Sequence, residues 1–355
     1  MRIGIPREVK PLEGRVALSP EACSTLVHHG HEVLVESSAG VLSGYADAQY
    51  QSAGAQVTAD AQALYAGAEL VVKVKEPVAA DLAHLRRDHL LFCFLHLAPN
   101  PELTRQLLEI GLTAVGFETV ETDAGQLPLL APMSDIAGRL AVQIGTHLLH
   151  QPQGGKGLLL GGLPGVGRGH VVILGAGHAG GNAAALAAAV GAEVVVFDPR
   201  HDRLVAMRAL GNNVTALYPY QDRLHHEVAR ADLLIGATLQ TGTRTPHIVS
   251  RTMVASMQPG SVVVDISVDQ GGCIETTRPT TYAAPTYVEE GVLHFCVTNM
   301  PGAVPRSATQ ALSAAILPWT LQLAAGGWEQ HAPLQRAVNV RGGEIIHPAL
   351  RTTLD

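Results

Sequence analysis

HVVILGAGHAGGNAAALAAAVGAEVVVFD, residues 170–198, decides how this chain is read. It runs as a strand, a glycine turn, an Ala-rich helix, a second strand and then an acid. Gly175, Gly177 and Gly180 complete a G-x-G-x-x-G. In such a turn the first glycine permits the sharp exit from the strand. The second leaves bare backbone for a pyrophosphate, and the third lets the helix pack close to the sheet. The helix N-terminus then offers unpaired N–H groups and a positive dipole end to that anion. Asp198 ends the next strand about 20 residues on, where a carboxylate binds ribose hydroxyls. The stretch therefore predicts the phosphate-binding half of a dinucleotide fold.

Outward from it the same rhythm repeats. A second series of strands is expected at 171–174, 193–197, 214–217, 233–237 and 261–266. An earlier series is expected at 2–5, 32–36, 68–75 (AELVVKVK), 90–95 (LLFCFL) and 113–117. Helices fall between them, with longer ones in 128–149, after Pro132, and in 299–323, after an opening Pro/Gly turn. Repeated βα units imply parallel, doubly wound sheets. The fold class is thus α/β, with two Rossmann-like domains joined by long helices across a cleft. The expected boundaries are 1–130 plus 302–355 for a substrate domain and 131–301 for a nucleotide-binding domain.

Composition removes other classes. Of 355 residues 47% are apolar and only 15% charged, against about 25% charged in typical soluble domains. Net charge is −7 and no basic stripe is present, which argues against nucleic acid. Cys23, Cys93, Cys273 and Cys296 form no C-x-x-C, so neither zinc nor redox chemistry is indicated. A chain of this size needs no disulfides, in keeping with a reducing cytoplasm. MRIGIPRE reads as a strand and not a signal peptide. The charge-free stretch 171–192 is explained by the glycine turn without a membrane. No H-x-x-x-H or carboxylate cluster suggests a metal.

Ligands of doubly wound sheets sit beyond the carboxyl ends of the strands. That rule selects Arg7 and Arg15 after the first strand, Lys75 after 68–75, and His96 after 90–95. Cations and an imidazole together suit a small anionic substrate: Arg or Lys clamps a carboxylate and His moves a proton. Bland readings stand beside these. Lys73 reads as a solvated strand-end charge, and Arg7 as a partner of Glu8 or a nearby loop. In VVDISVDQGGC (263–273), Asp265 and Asp269 are open between a carboxylate facing the nicotinamide and a turn-former.

Nearly the whole chain resembles NAD-dependent alanine dehydrogenases. The matching blocks are GIPREVK (4–10), RVALSP (15–20), GHEVLVE (30–36), VVKVKEP (71–77), LFCFLHLAPNP (91–101), LLAPMSDIAGRLA (129–141), GGKGLLLGGLPGV (154–166), ILGAG (173–177), VDISVDQGGC (264–273) and VTNMPGAVPRSAT (297–309). The resemblance implies that Arg15 and Lys75 bind the alanine carboxylate, that His96 is the general acid–base, and that Asp269 partners it. It makes Ser134 a pyrophosphate contact and Asp198 the ribose acid. Asn299 and Met300 become lining residues, and Arg203, Leu239 and Ile266 further cofactor contacts. The implied reaction is oxidative deamination of L-alanine to pyruvate and ammonium, with NAD as hydride acceptor, in a homo-oligomer, commonly a hexamer.

The chain departs from the family in GAGHAG, where His178 replaces an apolar residue and either meets a phosphate or is merely exposed. Asp198 disfavours a 2′-phosphate, whereas Arg200 or Arg203 would tolerate one. Three rival readings are a transhydrogenase nucleotide-binding subunit, whose members lack a His at 96, a non-catalytic NAD-binding regulator, and a dehydrogenase for another small amino acid.

Overall fold

The computed structural model describes residues 1–238 and 246–351. The chain divides into two compact units, Met1–Met133 with Gly302–Asp355, and Ser134–Pro301. In chain order the first contributes β1 (Arg2–Ile5), β2 (Glu32–Glu36), β3 (Gln56–Thr58), β4 (Leu70–Val72), β5 (Leu90–Cys93) and β6 (Thr113–Gly116). The second contributes β7 (His170–Leu174), β8 (Glu193–Phe197), β9 (Val214–Leu217), β10 (Leu233–Gly236), β11 (Val262–Asp265), β12 (Thr286–Glu289) and β13 (Val292–Phe295). The chain then returns to the first unit for β14 (Val338–Arg341) and β15 (Glu344–Ile345).

The first sheet has the order β15-β14-β6-β5-β4-β1-β2-β3, the second β12-β13-β11-β10-β7-β8-β9. The first contains the doubly wound order 3-2-1-4-5-6 of dinucleotide folds, and the second keeps 3-2-1-4-5, with β13 in place of its sixth strand beside β11. In each, the first strand has its second and fourth as neighbours, so successive crossovers leave in opposite directions and open a crevice at the carboxyl ends. This is the α/β architecture that the βα rhythm predicts, with one difference. The sheets are parallel except at one edge: β14 runs antiparallel to β6 and β15, and β12 antiparallel to β13. Those edge strands are short, two to four residues, and β14–β15 turns through Gly342 and Gly343, both at positive φ (61° and 89°). Glycine is the residue that reaches that region without strain.

Each central strand is buried on both faces, as helix-covered parallel strands must be. β7 (HVVIL), β10 (LLIG) and β11 (VVVD) are buried at every position, and Val172, Leu174, Leu234 and Val263 share one core with Leu224 and Val228 of a flanking helix. In the first unit the core joins Val71, Leu91 and Ala114 with Leu103 and Leu107.

Two long helices position the site loops. Ala131–Leu148 starts with Pro132 in its first turn, where a missing N–H costs nothing. Pro305–Ala324, likewise entered at a proline, holds the loop after β1. Its buried Thr309 accepts the Val16 N–H at 3.1 Å and its Ser313 the Ser19 N–H at 2.9 Å. Among the described residues no helix is long and apolar enough to cross a membrane.

Candidate active site

In the first unit, three strand-end loops carry the chemistry. The loop after β1 brings Glu8, Lys10, Glu13 and Arg15. Arg15 is 3% exposed, and Glu13 grips its guanidinium at two nitrogens, Nε to Oε1 at 2.6 Å and Nη2 to Oε2 at 2.5 Å. A fork held this way has one orientation. Its Nη1 lies 3.2 Å from the Met133 Sδ.

The loop after β4 corrects two expectations. The strand stops at Val72, short of the predicted 75: the Lys73 N–H still donates to the Phe92 carbonyl at 3.2 Å, but Glu8 takes the donors after it, its Oε1 accepting the Val74 N–H at 2.6 Å and the Lys75 N–H at 3.4 Å. Lys73 is not a solvated charge. It is 1% exposed, with Nζ 2.9 Å from Asp81 Oδ2 and 3.5 Å from Glu8 Oε2, and Tyr65 donates to the other Asp81 oxygen at 2.8 Å. Burial opposes its charge, but the two carboxylates prevail and hold the ammonium above its ordinary pKa. Burial pushes the Glu8 carboxyl up, against the pull of Lys73. The triad thus fixes the backbone from which Lys75 projects. Lys75 is half-buried, and burial, then the nearby Arg15 charge, lower its pKa. A Lys75 ammonium made costly by desolvation and by a neighbouring cation forms a receptive place for an anion.

The loop after β5 presents His96, whose side chain is 40% exposed. Its φ is 47°, a left-handed conformation uncommon for any residue but glycine. Glu118, at the end of β6, holds it there, accepting the His96 N–H at 2.7 Å and the Leu95 N–H at 3.1 Å. The imidazole stacks on Phe94, centroids 5.7 Å apart, and its Nδ1 is 3.2 Å from Glu76 Oε2. Burial would lower the His96 pKa, and Lys75 acts in the same sense. The Glu76 hydrogen bond and the Glu118 charge outweigh them and raise it. Arg7, by contrast, serves Glu36: its N–H donates at 2.9 Å and its Nε lies 3.7 Å away.

In the second unit the glycine turn follows β7, the strand at the switch point. Gly175 has φ 94°, and a Cβ there would sit 2.7 Å from the Ala237 carbonyl oxygen. A Cβ on Gly180 would lie 1.8 Å from the Gly175 oxygen. A Cβ on Gly177 would meet nothing closer than Arg203 Nη1 at 3.7 Å, so here the missing side chain leaves open backbone instead of relieving a clash. Gly177 caps the helix His178–Ala189 with no side-chain hydrogen bond. Gly138 lets helix Ala131–Leu148 pass over this turn: its Cβ would stand 2.0 Å from the Ala179 oxygen.

Asp198, 2% exposed, ties the turn to β8. Its Oδ2 accepts the Ala176 N–H at 2.8 Å and lies 3.3 Å from Arg203 Nη1, while Oδ1 accepts the Arg200 N–H at 2.8 Å. Arg200 is paired with Asp202 at 2.6 Å, so both arginines near the acid already face carboxylates. His178 is exposed, with Nδ1 3.1 Å from Asp135, which also accepts from Asn182 at 2.9 Å. Ser134 precedes Asp135 in the first turn of its helix.

Asp265 is fully buried and accepts from the Ser267 and Cys273 N–H groups and the Thr277 hydroxyl at 2.8–3.0 Å. It is the turn-former, and its burial raises its pKa. Asp269 is exposed in the short 3-10 turn Val268–Gln270, and Ile266 directly follows β11. Asn299 is half-buried beside buried Met300, whose carbonyl accepts from Tyr282 at 2.8 Å. Leu239 lies outside the described residues.

The alanine dehydrogenase/PNT N-terminal domain model matches residues 4–137 and the corresponding C-terminal domain model residues 141–348. The chain belongs to the alanine dehydrogenase/PNT family. Alanine dehydrogenases from Halomonas elongata and Mycobacterium tuberculosis are 46% and 45% identical, over 99% and 100% of this chain and 96% and 97% of theirs. A solved L-alanine dehydrogenase superposes with a TM-score of 0.96 at 48% identity, covering 99% of both chains. A transhydrogenase from Sinorhizobium meliloti reaches 0.85 at 27% identity, covering 98% of this chain and all of that one.

Within this family frame, Arg15, Lys75 and His96 come together in the first unit. Gly175, Gly177, His178, Gly180, Asp198 and Arg203 gather about the β7 end in the second. Sequence reasoning passed over Glu13, Glu76, Glu118 and Gly138. Glu118 was within reach of the strand-end rule, since it follows β6, the neighbour of β5. Gly180→Ala is expected to weaken dinucleotide binding at least about 10-fold and to cost roughly 1–3 kcal/mol, because its methyl group has only backbone to displace. Fluorescence titration and urea unfolding measure the two effects, and an unchanged affinity would remove the close-packing role.

Proposed function

We propose that this chain is an NAD-dependent L-alanine dehydrogenase, interconverting L-alanine with pyruvate and ammonium. The observation that carries the reading is the setting of His96: an imidazole locked by Glu118 and Glu76 beside Lys75, in the unit that also orients Arg15. The identity to named alanine dehydrogenases over the full chain supports the reaction.

Arg15, oriented by Glu13, and Lys75, projecting from the segment fixed by Glu8, hold the substrate carboxylate. An arriving anion offsets the desolvation of Lys75 and the repulsion that Arg15 exerts on it. His96 moves protons as water adds to the imine carbon and ammonia departs. An imidazole both accepts and donates a proton and so serves in both directions. Asp269 is assigned as its partner by family resemblance.

The turn around Gly175, Gly177 and Gly180 fits a dinucleotide pyrophosphate, with open backbone at Gly177 and an uncapped helix start. Asp198 would meet the adenosine ribose, and Ser134, His178, Arg203, Leu239, Ile266, Asn299 and Met300 complete the proposed contacts. When bound, NAD supplies the hydride acceptor for the alanine Cα. Asp198 favours NAD over NADP, since a 2′-phosphate would meet a carboxylate whose arginine neighbours are already paired. A homo-oligomeric state and a cytoplasmic location rest on the resemblance.

Arg15→Ala is expected to raise the alanine KM at least about 10-fold, the loss of one charge-assisted contact, with little change in the NAD KM. Steady-state kinetics with each substrate varied in turn checks it. An effect confined to NAD would contradict the clamp.

A further inference from the structure

His96 exchanges protons through one ring nitrogen, and the other nitrogen's partner determines which one. That partner is Glu76, Oε2 to Nδ1 at 3.2 Å. The second oxygen of Glu76 is held by the Lys10 ammonium from the loop after β1. Lys10 and Glu76 stand side by side in the wall of a cavity of about 310 Å³ that also meets Asn100, Glu102 and Gln106. The main charges acting on the ring come from strand-end segments of the same unit: Glu76 and Lys75 from the segment after β4, and Glu118 from the turn after β6.

From this geometry we infer that Glu76, clamped by Lys10, is the positioning residue of the acid–base group. It keeps the His96 proton on Nδ1 and so leaves Nε2 as the nitrogen that faces the reaction. The inference rests on His96 being the acid–base residue. Two roles for Glu76 compete, a fixed acceptor or a relay that carries the proton toward the cavity. The clamp decides between them. Although burial favours the neutral acid, the His96 and Lys10 hydrogen bonds hold Glu76 far below the usual carboxylate range. A carboxylate so reluctant to protonate orients its partner and does not carry its proton.

The test is the pH profile of kcat/KM for alanine deamination in Glu76→Gln, Lys10→Met and Lys10→Arg. Deamination needs neutral His96, so activity falls on the acid side as the imidazole protonates. Glu76→Gln removes the charge that raises the His96 pKa. Its acid limb is expected to move down by about one pH unit, with kcat at least about 10-fold lower and the alanine KM within about 3-fold. Lys10→Met leaves the carboxylate and removes the opposing cation, so its limb is expected to move up. Lys10→Arg restores the parent profile. Opposite shifts in the two variants are not produced by a merely structural role. Limbs unmoved in both would overturn the inference, and if Glu76→Gln does not fold the Lys10 pair decides it alone. Loss of turnover in His96→Ala alongside a normal Glu76→Gln would reject this inference and leave the proposed function standing. A fully active His96→Ala would reject the acid–base reading itself.

Discussion

His96→Ala is expected to lower turnover at least about 100-fold in both directions, the usual contribution of a positioned acid–base group. The structure gives the reason that water does not substitute for it. The chain holds residue 96 at φ 47°, with Glu118 gripping two successive N–H groups. Such strain costs of order 1–3 kcal/mol and persists only where the surroundings enforce it. The enforcement presents one imidazole in one orientation, stacked on Phe94. Dinucleotide binding should be unchanged, since the glycine turn and Asp198 belong to the other unit. Turnover and NADH titration on the same preparation separate the two effects. Near-normal turnover with intact binding would sink the assignment.

The second large effect is on stability. Lys73→Met is expected to cost about 3–5 kcal/mol, the range for a buried ion group that loses one partner. It leaves Glu8 and Asp81 buried with no cation between them. The sign with pH follows. Burial already raises the Glu8 pKa, and losing Lys73 raises it further above the unfolded value. The penalty is therefore full above that raised pKa and shrinks as pH falls and the carboxyl protonates. Urea unfolding of parent and variant at pH 8 and pH 5 measures it. A cost under about 1 kcal/mol at pH 8 would mean that Lys73 is in practice solvated. Because Glu8 also holds the Val74 and Lys75 N–H groups, the variant should raise the alanine KM as well.

Much of this was legible in the chain. β8 and β9 fall where the apolar runs predict, at 193–197 and 214–217, because those strands are flanked by turns with no competing signal. The glycine turn was readable because each glycine answers a local steric demand. Lys73 was not. Its sequence neighbours AELVVKVK alternate as a half-exposed strand would, and the carboxylates that bury it come from Glu8 and Asp81, 65 and 8 residues away in the chain. Glu8 also cut β4 short, a tertiary hydrogen bond that no local pattern announces. β13 (VLHF) escaped notice because its His294 breaks the apolar run. The structure buries that imidazole against Thr276 at 2.8 Å. The antiparallel edges carry a weaker signal: β12 (TYVE) is not fully buried at any position and β15 is two residues long, too few to show a period.

The most direct test is absorbance at the reduced-nicotinamide band with the purified chain. L-alanine is supplied with NAD or NADP, and pyruvate, ammonium and NADH in reverse. Turnover in both directions with NAD strongly preferred over NADP is expected. No turnover with alanine from protein that binds NADH would contradict the proposed function.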